Sequence, residues 1–192
     1  MPEFDIKLYD REFFEWHYKN VHLQAVKCMQ WYIGQYKPKS IVDFGCGIGS
    51  YLEPAWALFL KIKGYDISSE ARPLTMHSLW PFIEYRDCTK PIDSGQYDCV
   101  ISLETAEHLE PSGTDQFIKN LVNATGKTLL FTAAPPGQEG MGHINCRPKE
   151  FWIEEFSKHL TYNKELSDEI AAFWGIQGAP WYIVKNLLVF ER

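Results

Sequence analysis

Two groups of residues in this 192-residue chain have types and spacings that could do chemistry. The first is the run Asp43-Phe-Gly45-Cys-Gly47-Ile-Gly49, in which glycines occupy alternate positions at the end of the apolar stretch 40–44. Glycines let a backbone turn sharply and let a ligand lie directly against it. A turn that feeds a helix also offers free N–H groups to an anionic group. Asp66 follows 23 residues after Asp43, at the end of the next apolar stretch, where a carboxylate can accept from both hydroxyls of a ribose. Asp87 closes a third stretch and is placed to reach an adenine amino group. A dinucleotide fingerprint would read G-x-G-x-x-G; here Gly49 comes one position early and Ser50 holds the third site, which disfavours NAD or FAD.

The second group is Glu104-Thr-Ala-Glu107-His108, together with His143 in the segment Gly-Met-Gly-His-Ile-Asn. If the turn after residue 103 is helical, Glu104, Glu107 and His108 share one face at i, i+3 and i+4. Two carboxylates and two imidazoles make a candidate divalent site that suits Mg, Mn or Zn without choosing among them. The competing reading is that Glu107-His108 only supports a loop and helix packing. His143 lies in a glycine-flanked loop and is the candidate general base, with metal ligation or loop support as its other roles. Asn145 and Arg147 are placed to bind a polar acceptor, or else Arg147 is simply solvated ahead of Pro148.

These residues need a scaffold. Residues 1–36 read as helical, stopped by Pro38. Strands are expected at 40–44, 60–68, 82–88, 97–104, 127–135 and 181–192. Helices are expected at 50–60, 69–80, 112–125, 149–160 and 164–174, with a long Gly/Pro-rich loop before residue 149. Strands alternating with helices imply βαβ units, a parallel sheet and right-handed crossovers. The expectation is an α/β, Rossmann-like doubly wound fold in one domain spanning 1–192, with 1–37 a helical extension and 38–192 the core.

Composition narrows the classes. Apolar residues make up 45 % and charged residues 23 %, as expected for a globular chain. A formal charge of −6 with no Lys/Arg cluster argues against bulk nucleic-acid binding. No apolar run approaches the roughly 20 residues of a membrane span, and the charged N-terminus lacks a signal-peptide core. Five cysteines without C-x-x-C spacing fit a reducing cytoplasm.

The order of IVDFGCGIG, KGYDIS, YRDC, YDCVISLETAEHL and TLLFTAAP resembles the class I S-adenosylmethionine-dependent methyltransferases, over roughly residues 38–135. The resemblance implies a seven-stranded sheet whose last strand inserts antiparallel, and S-adenosylmethionine as cofactor. It implies that Gly45, Gly47 and Gly49 face the methionine part of the cofactor, with Asp43 near its amino end. Asp66 would hold the ribose, Ile67 would pack on the adenine, and Asp87 with Cys88 would flank it. Leu103 and Glu104 would lie beside the sulfonium. The Glu104/Glu107/His108 segment, with His143, is similar to the metal-binding segment of ubiquinone-pathway O-methyltransferases and small-RNA 2′-O-methyltransferases. The expected activity is methylation of a small molecule, on oxygen, with an RNA 2′-O or nucleobase acceptor as the alternative. No N-P-P-Y tetrapeptide follows the fourth strand, which weakens the nucleobase reading. Rings of residues 9–18 are expected to roof the acceptor. The sequence sets neither the acceptor's identity nor the oligomeric state.

Overall fold

The computed structural model describes residues 4–192. Its sheet contains β1 (Ser40–Phe44), β2 (Lys61–Asp66), β3 (Ile83–Tyr85), β4 (Tyr97–Leu103), β5 (Thr125–Thr132), β6 (Thr161–Tyr162) and β7 (Leu188–Glu191). The spatial order is β3-β2-β1-β4-β5-β7-β6. The first five strands pair in parallel, β7 runs antiparallel to β5, and β6 runs antiparallel to β7. This is the expected doubly wound sheet. The chain runs from β1 outward to β3 and then returns to place β4 on the other side of β1. The crevice at the carboxyl ends of β1 and β4 is therefore the switch point where ligands of such sheets bind.

The central strands are apolar on both faces because both are covered. Ile41, Cys99, Ile101, Leu130 and Val189 point to one side, against Met29, Ile170, Trp174 and Ile183. Their neighbours Val42, Val100, Leu129, Phe131 and Phe190 point to the other, against Phe117, Leu121, Trp152 and Phe156. The first side is built by α2 (His22–Tyr36), α6 (Lys164–Ile176) and α7 (Trp181–Asn186), the second by α4 (Thr114–Ala124) and α5 (Lys149–Ser157). The helices α1 (Arg11–Asn20) and α3 (Glu53–Ala57) complete the set. The side chain of Asp10 caps α1 by accepting from Phe13 N at 3.0 Å. The next helix, α2, stops at Lys37 in the left-handed region, immediately before Pro38.

Several elements depart from expectation. The helical N-terminal segment is a short 3-10 turn (Ile6–Leu8) followed by two helices that break at Val21, and residues 1–3 of that expectation lie outside the described residues. The stretch 69–80 is not an α-helix but two 3-10 turns, Ser69–Leu74 and His77–Phe82. Pro73 and Pro81 lack the N–H an α-helix would use, and Thr75 turns extended between them. Strand β3 is only three residues long, so Asp87 and Cys88 lie past its end. The expected helix at 50–60 shrinks to α3, and the expected strand at 181–192 divides into α7 and β7. Residues 181–186 carry strand-forming types, but they follow Pro180 and fold as a helix that buries Ile183 and Asn186. The short β6 supplies the seventh strand.

Phe131 is fully buried on β5, with its ring 4.9 Å from that of Trp152 and 5.0 Å from that of Phe156. Phe131→Ala should lower the unfolding free energy by about 3–5 kcal/mol, read from urea denaturation. A loss under about 1 kcal/mol would show that this aromatic cluster is not where the sheet's stability resides.

Candidate active site

The turn after β1 carries all three glycines at positive φ, and at Gly45 a Cβ would overlap the Thr105 side chain as well. The Gly47 amide donates to Asp66 Oδ2 at 2.7 Å, and Ser68 N donates to Oδ1 at 2.9 Å. The ends of β1 and β2 are thereby tied together through one buried carboxylate. Burial raises the Asp66 pKa, and the amides of Ser68 and Gly47 oppose that shift. Asp43 is 2 % exposed, and its Oδ2 has no partner among the described residues. Burial first and then Asp66 hold the Asp43 carboxyl well above the usual range. An unpartnered acid there is a site for a ligand's cation or hydrogen-bond donor.

These groups line one cavity of about 850 Å³, with Ile67, Asp87, Cys88, Leu103 and Glu104 also on its wall. Ile67 is 40 % exposed at the edge, whereas Leu103 is buried. Asp87 is partly committed already: its Oδ1 accepts from Thr89 N at 2.8 Å and from Thr89 Oγ1 at 2.6 Å. Cys88 is buried, and burial pushes its thiol pKa up, so it acts as a neutral wall. Gly49 is buried and lies off the cavity lining.

Glu104 adopts φ 50°, a left-handed conformation uncommon for a residue with a Cβ. Its amide donates to Thr132 Oγ1 at 2.8 Å, and its Oε2 accepts from Gln138 Nε2 at 3.1 Å. Asn186, from α7, reaches Glu104 Oε1 at 3.4 Å and Gln138 Oε1 at 3.0 Å.

Residues Ala106–His108 form a single 3-10 turn. Glu107 is fully buried, and neither carboxylate oxygen has a partner among the described residues. Its pKa is raised, first by burial and then by the charge of Glu104, while the nearby amides of Glu107 and Ala134 pull the other way without completing a hydrogen bond. The Glu107 carbonyl accepts from Ile144 N at 2.9 Å and Asn145 N at 2.8 Å, which pins the loop after β5 against the end of β4. That loop brings His143 to His108, with ring centroids 4.9 Å apart. His108 Nδ1 faces Gly142 O at 3.2 Å and His143 Nδ1 faces Gln138 O at 3.0 Å. A carbonyl only accepts, so both Nδ1 atoms carry a proton. Burial, and then His143, lower the His108 pKa to about 4. Glu107, His108 and His143 each place one ligand atom within 4.8 Å of the others. Glu104, the fourth expected ligand, is not part of that group and is held instead by Gln138 and Asn186.

Asn145 and Arg147 do not reach the cavity. Asn145 is 2 % exposed and donates to Ala106 O at 3.1 Å and Thr114 Oγ1 at 2.9 Å, while Arg147 Nε donates back to Asn145 Oδ1 at 3.0 Å. They anchor the loop. The residues before β1 do form a roof. Phe13, Trp16 and His17 line the cavity, and burial lowers the His17 pKa to about 4. Tyr9 fastens the roof on two sides. Its carbonyl accepts from Ser68 Oγ at 2.7 Å, its ring meets the His108 ring edge-on at 5.5 Å, and its buried Oη has no partner among the described residues. Gln138 and Tyr182 also line the cavity, and Asn186 and Ser68 bond to residues that do; no motif marks any of the four.

A family model described as a methyltransferase domain matches residues 15–138. A curated relative, the small RNA 2′-O-methyltransferase of Xenopus tropicalis, is 22 % identical over 179 residues, covering 77 % of this chain and 48 % of that protein. The chain thus spans about half the length of that relative. Among solved structures, the sugar N-methyltransferase KedS8 from Streptoalloteichus sp. ATCC 53650 superposes with TM-score 0.67 at 11 % identity, covering 100 % of this chain and 94 % of its own. The S-adenosylmethionine-bound amino pentose methyltransferase CalS10 from Micromonospora echinaspora gives TM-score 0.64 at 13 % identity, with coverage of 94 % and 96 %. These superpositions show a shared fold, and the family match covers the glycine turn, Asp66 and the Glu107-His108 segment. The chain belongs to the methyltransferase-domain family, within the class I S-adenosylmethionine-dependent methyltransferases.

Proposed function

We propose that this protein moves the methyl group of S-adenosylmethionine to a hydroxyl of a small molecule held under the N-terminal roof. The observation that carries this reading is that one cavity joins Asp43, Asp66 and the glycine turn to the imidazoles of His108 and His143. Asp66 accepts from the ribose hydroxyls, Ile67 covers the adenine, and Asp87 with Cys88 closes its edge. Gly45 and Gly47 lie against the methionine part, Asp43 receives its ammonium end, and Leu103 and Glu104 flank the sulfonium. Gly49 supports this by shaping the turn from beneath.

Transfer is an in-line displacement. The acceptor oxygen forms a bond to the methyl carbon as the carbon–sulfur bond breaks, and that electron pair returns to sulfur. The chain must align the two partners and exclude water, which the roof does. A hydroxyl must also lose its proton, and His143, on the cavity lining, is the group assigned to take it.

The donor set also fits a divalent cation, because the orphaned Glu107 carboxylate lies beside two imidazoles, with one ligand atom of each residue within 4.8 Å of the others. Glu107, His108 and His143 would hold it, with Glu104 adjacent. Such an ion would neutralise Glu107 and acidify a hydroxyl bound to it.

The RNA 2′-O reading has the Xenopus relative in its favour. Against it, among the described residues Lys7 is the one lysine on the cavity lining and no arginine lies there, while Asp10, Glu12, Glu110 and Glu139 are on the same lining. A phosphate backbone near this mouth would meet repulsion. A small acceptor without negative charge fits the lining, and S-adenosylmethionine itself is cationic at sulfur.

S-adenosylhomocysteine should bind with micromolar affinity by calorimetry, and Asp66→Ala should weaken it at least about 100-fold. Because burial raises the Asp66 pKa, wild-type affinity should fall as pH drops through that raised value and the carboxylate protonates. Asp66→Asn should bind weakly at every pH and lose this acid limb. An unchanged affinity in Asp66→Ala would remove the ribose assignment.

His143→Ala should leave S-adenosylhomocysteine affinity unaltered and lower turnover by about 100-fold, measured with a panel of small phenols and sugar alcohols. If the cation participates, EDTA should lower wild-type turnover and Mn²⁺ should restore it, with Glu107→Gln failing to respond. Turnover on single-stranded RNA 3′ ends, but on no small hydroxyl, would establish the alternative acceptor instead.

A further inference from the structure

The helix α7 follows Pro180 and places Tyr182 and Ile183 on the cavity lining. Asn186, four residues after Tyr182, is 1 % exposed and shares its side of the helix. Its Nδ2 reaches Glu104 Oε1 at 3.4 Å and Gln138 Oε1 at 3.0 Å, so α7 is fixed directly against the residue that follows β4. The Trp181 ring meets that of Tyr182 edge-on, with centroids 5.8 Å apart and planes 82° apart, which fixes the orientation of the phenol.

Tyr182 is half-buried, and its phenol has no hydrogen-bond partner among the described residues. After burial, the charges that raise its pKa are those of Glu104 and Glu107. Its Oη therefore stays protonated and faces the acceptor end of the cavity rather than Asp66 and Asp87, and it offers one O–H donor. Beside it, Glu104 accepts one N–H at each oxygen, from Gln138 Nε2 at 3.1 Å and from Asn186 Nδ2. A carboxylate has about four lone-pair sites, so Glu104 can still accept from a ligand. This wall thus pairs a free donor with a free acceptor. A hydroxyl satisfies both at once, because it accepts from Tyr182 and donates to Glu104. An ether or carbonyl brings no proton to Glu104, and a methyl group serves neither side chain.

We propose that Tyr182 is a specificity-determining residue that, together with Glu104, binds a second hydroxyl on the methyl acceptor. The substrate class is then an uncharged molecule with at least two hydroxyls. One hydroxyl gives its proton to His143 and is methylated, while the other is held by α7. This rests on the hydroxyl-acceptor reading proposed above. Two fixed points orient a small acceptor where one would leave it free to turn.

The test measures binding by calorimetry to protein saturated with S-adenosylhomocysteine. The probes are the three dihydroxybenzenes, with the cresols and methoxyphenols that replace one hydroxyl by methyl or methoxy. For at least one ring isomer, the wild type should hold the dihydroxybenzene about tenfold more tightly than its cresol, with the methoxyphenol nearer the cresol. Tyr182→Phe keeps the ring contacts and removes only Oη. It should weaken that dihydroxybenzene by about tenfold and leave the cresol within about twofold. Melting temperature and S-adenosylhomocysteine affinity should stay at their wild-type values. An equal loss for dihydroxybenzene and cresol would assign Tyr182 to packing alone. A variant that kept the wild-type preference, or a wild type that showed none, would overturn the assignment directly. If wild-type protein bound S-adenosylhomocysteine but none of these phenols, the hydroxyl-acceptor reading would fall and this assignment with it.

Discussion

Three carboxyl groups sit where this fold solvates them least. Asp43 is the penultimate residue of β1, Asp66 the last of β2, and Glu107 lies just past β4. Burial is the first cause of a raised pKa at each of them. Removing an unpaired carboxylate from water costs several kcal/mol, and only Asp66 receives full hydrogen bonds from the surrounding backbone. The other two persist because β1, which carries Asp43, and β4, which leads into the turn of Glu107, are locked between two apolar layers. A parallel sheet covered on both faces has little freedom to swing its strand ends out to solvent. The sheet therefore spends part of its packing energy on keeping acidic groups ready for ligands that bring the missing partners.

The surroundings of the crevice follow from that constraint. The glycine turn brings amides to Asp66 and leaves room above Asp43. The loop after β5 is pinned through the Glu107 backbone, so the same residue that lacks side-chain partners is the one best fixed by its carbonyl. Tyr9 bridges Ser68 on the β2 side and His108 on the β4 side, joining the roof to both halves of the crevice. Removing solvent in this way strengthens each electrostatic contact inside and explains why His17 and His108 are both held neutral, at about 4.

Much of the sheet was readable from the chain because buried parallel strands are short apolar runs that end at glycine or acid, as 40–44 does. The glycine turn and Asp66 were readable for the same reason: each ends such a run. The crossover at 69–80 was not, because its periodicity looked helical while Pro73 and Pro81 denied it the hydrogen bonds. Residues 181–186 were misjudged in the opposite sense. Their propensity favours a strand, but tertiary burial of Ile183 and Asn186 makes a helix. That error hid Tyr182 and Asn186 from the site. Asn145 looked like an acceptor ligand because polar loop residues often are; its two hydrogen bonds to Ala106 and Thr114 become visible only once the loop is folded. The spacing of Glu104, Glu107 and His108 suggested one helical face, whereas a single 3-10 turn sends Glu104 toward Gln138 and leaves the other two with His143.

The neutral imidazoles also bear on what the cavity rejects. With His17 and His108 uncharged at neutral pH, Lys7 is the one lysine or arginine among the described residues that the lining offers an anion. An acceptor carrying a carboxylate or phosphate would have to leave water and face Glu12, Glu110 and Glu139 without compensation. A planar, uncharged acceptor loses only hydration and gains contact with Phe13, Trp16 and the edge of Tyr9. Discrimination of this kind works by exclusion, and it needs no residue dedicated to the favoured acceptor.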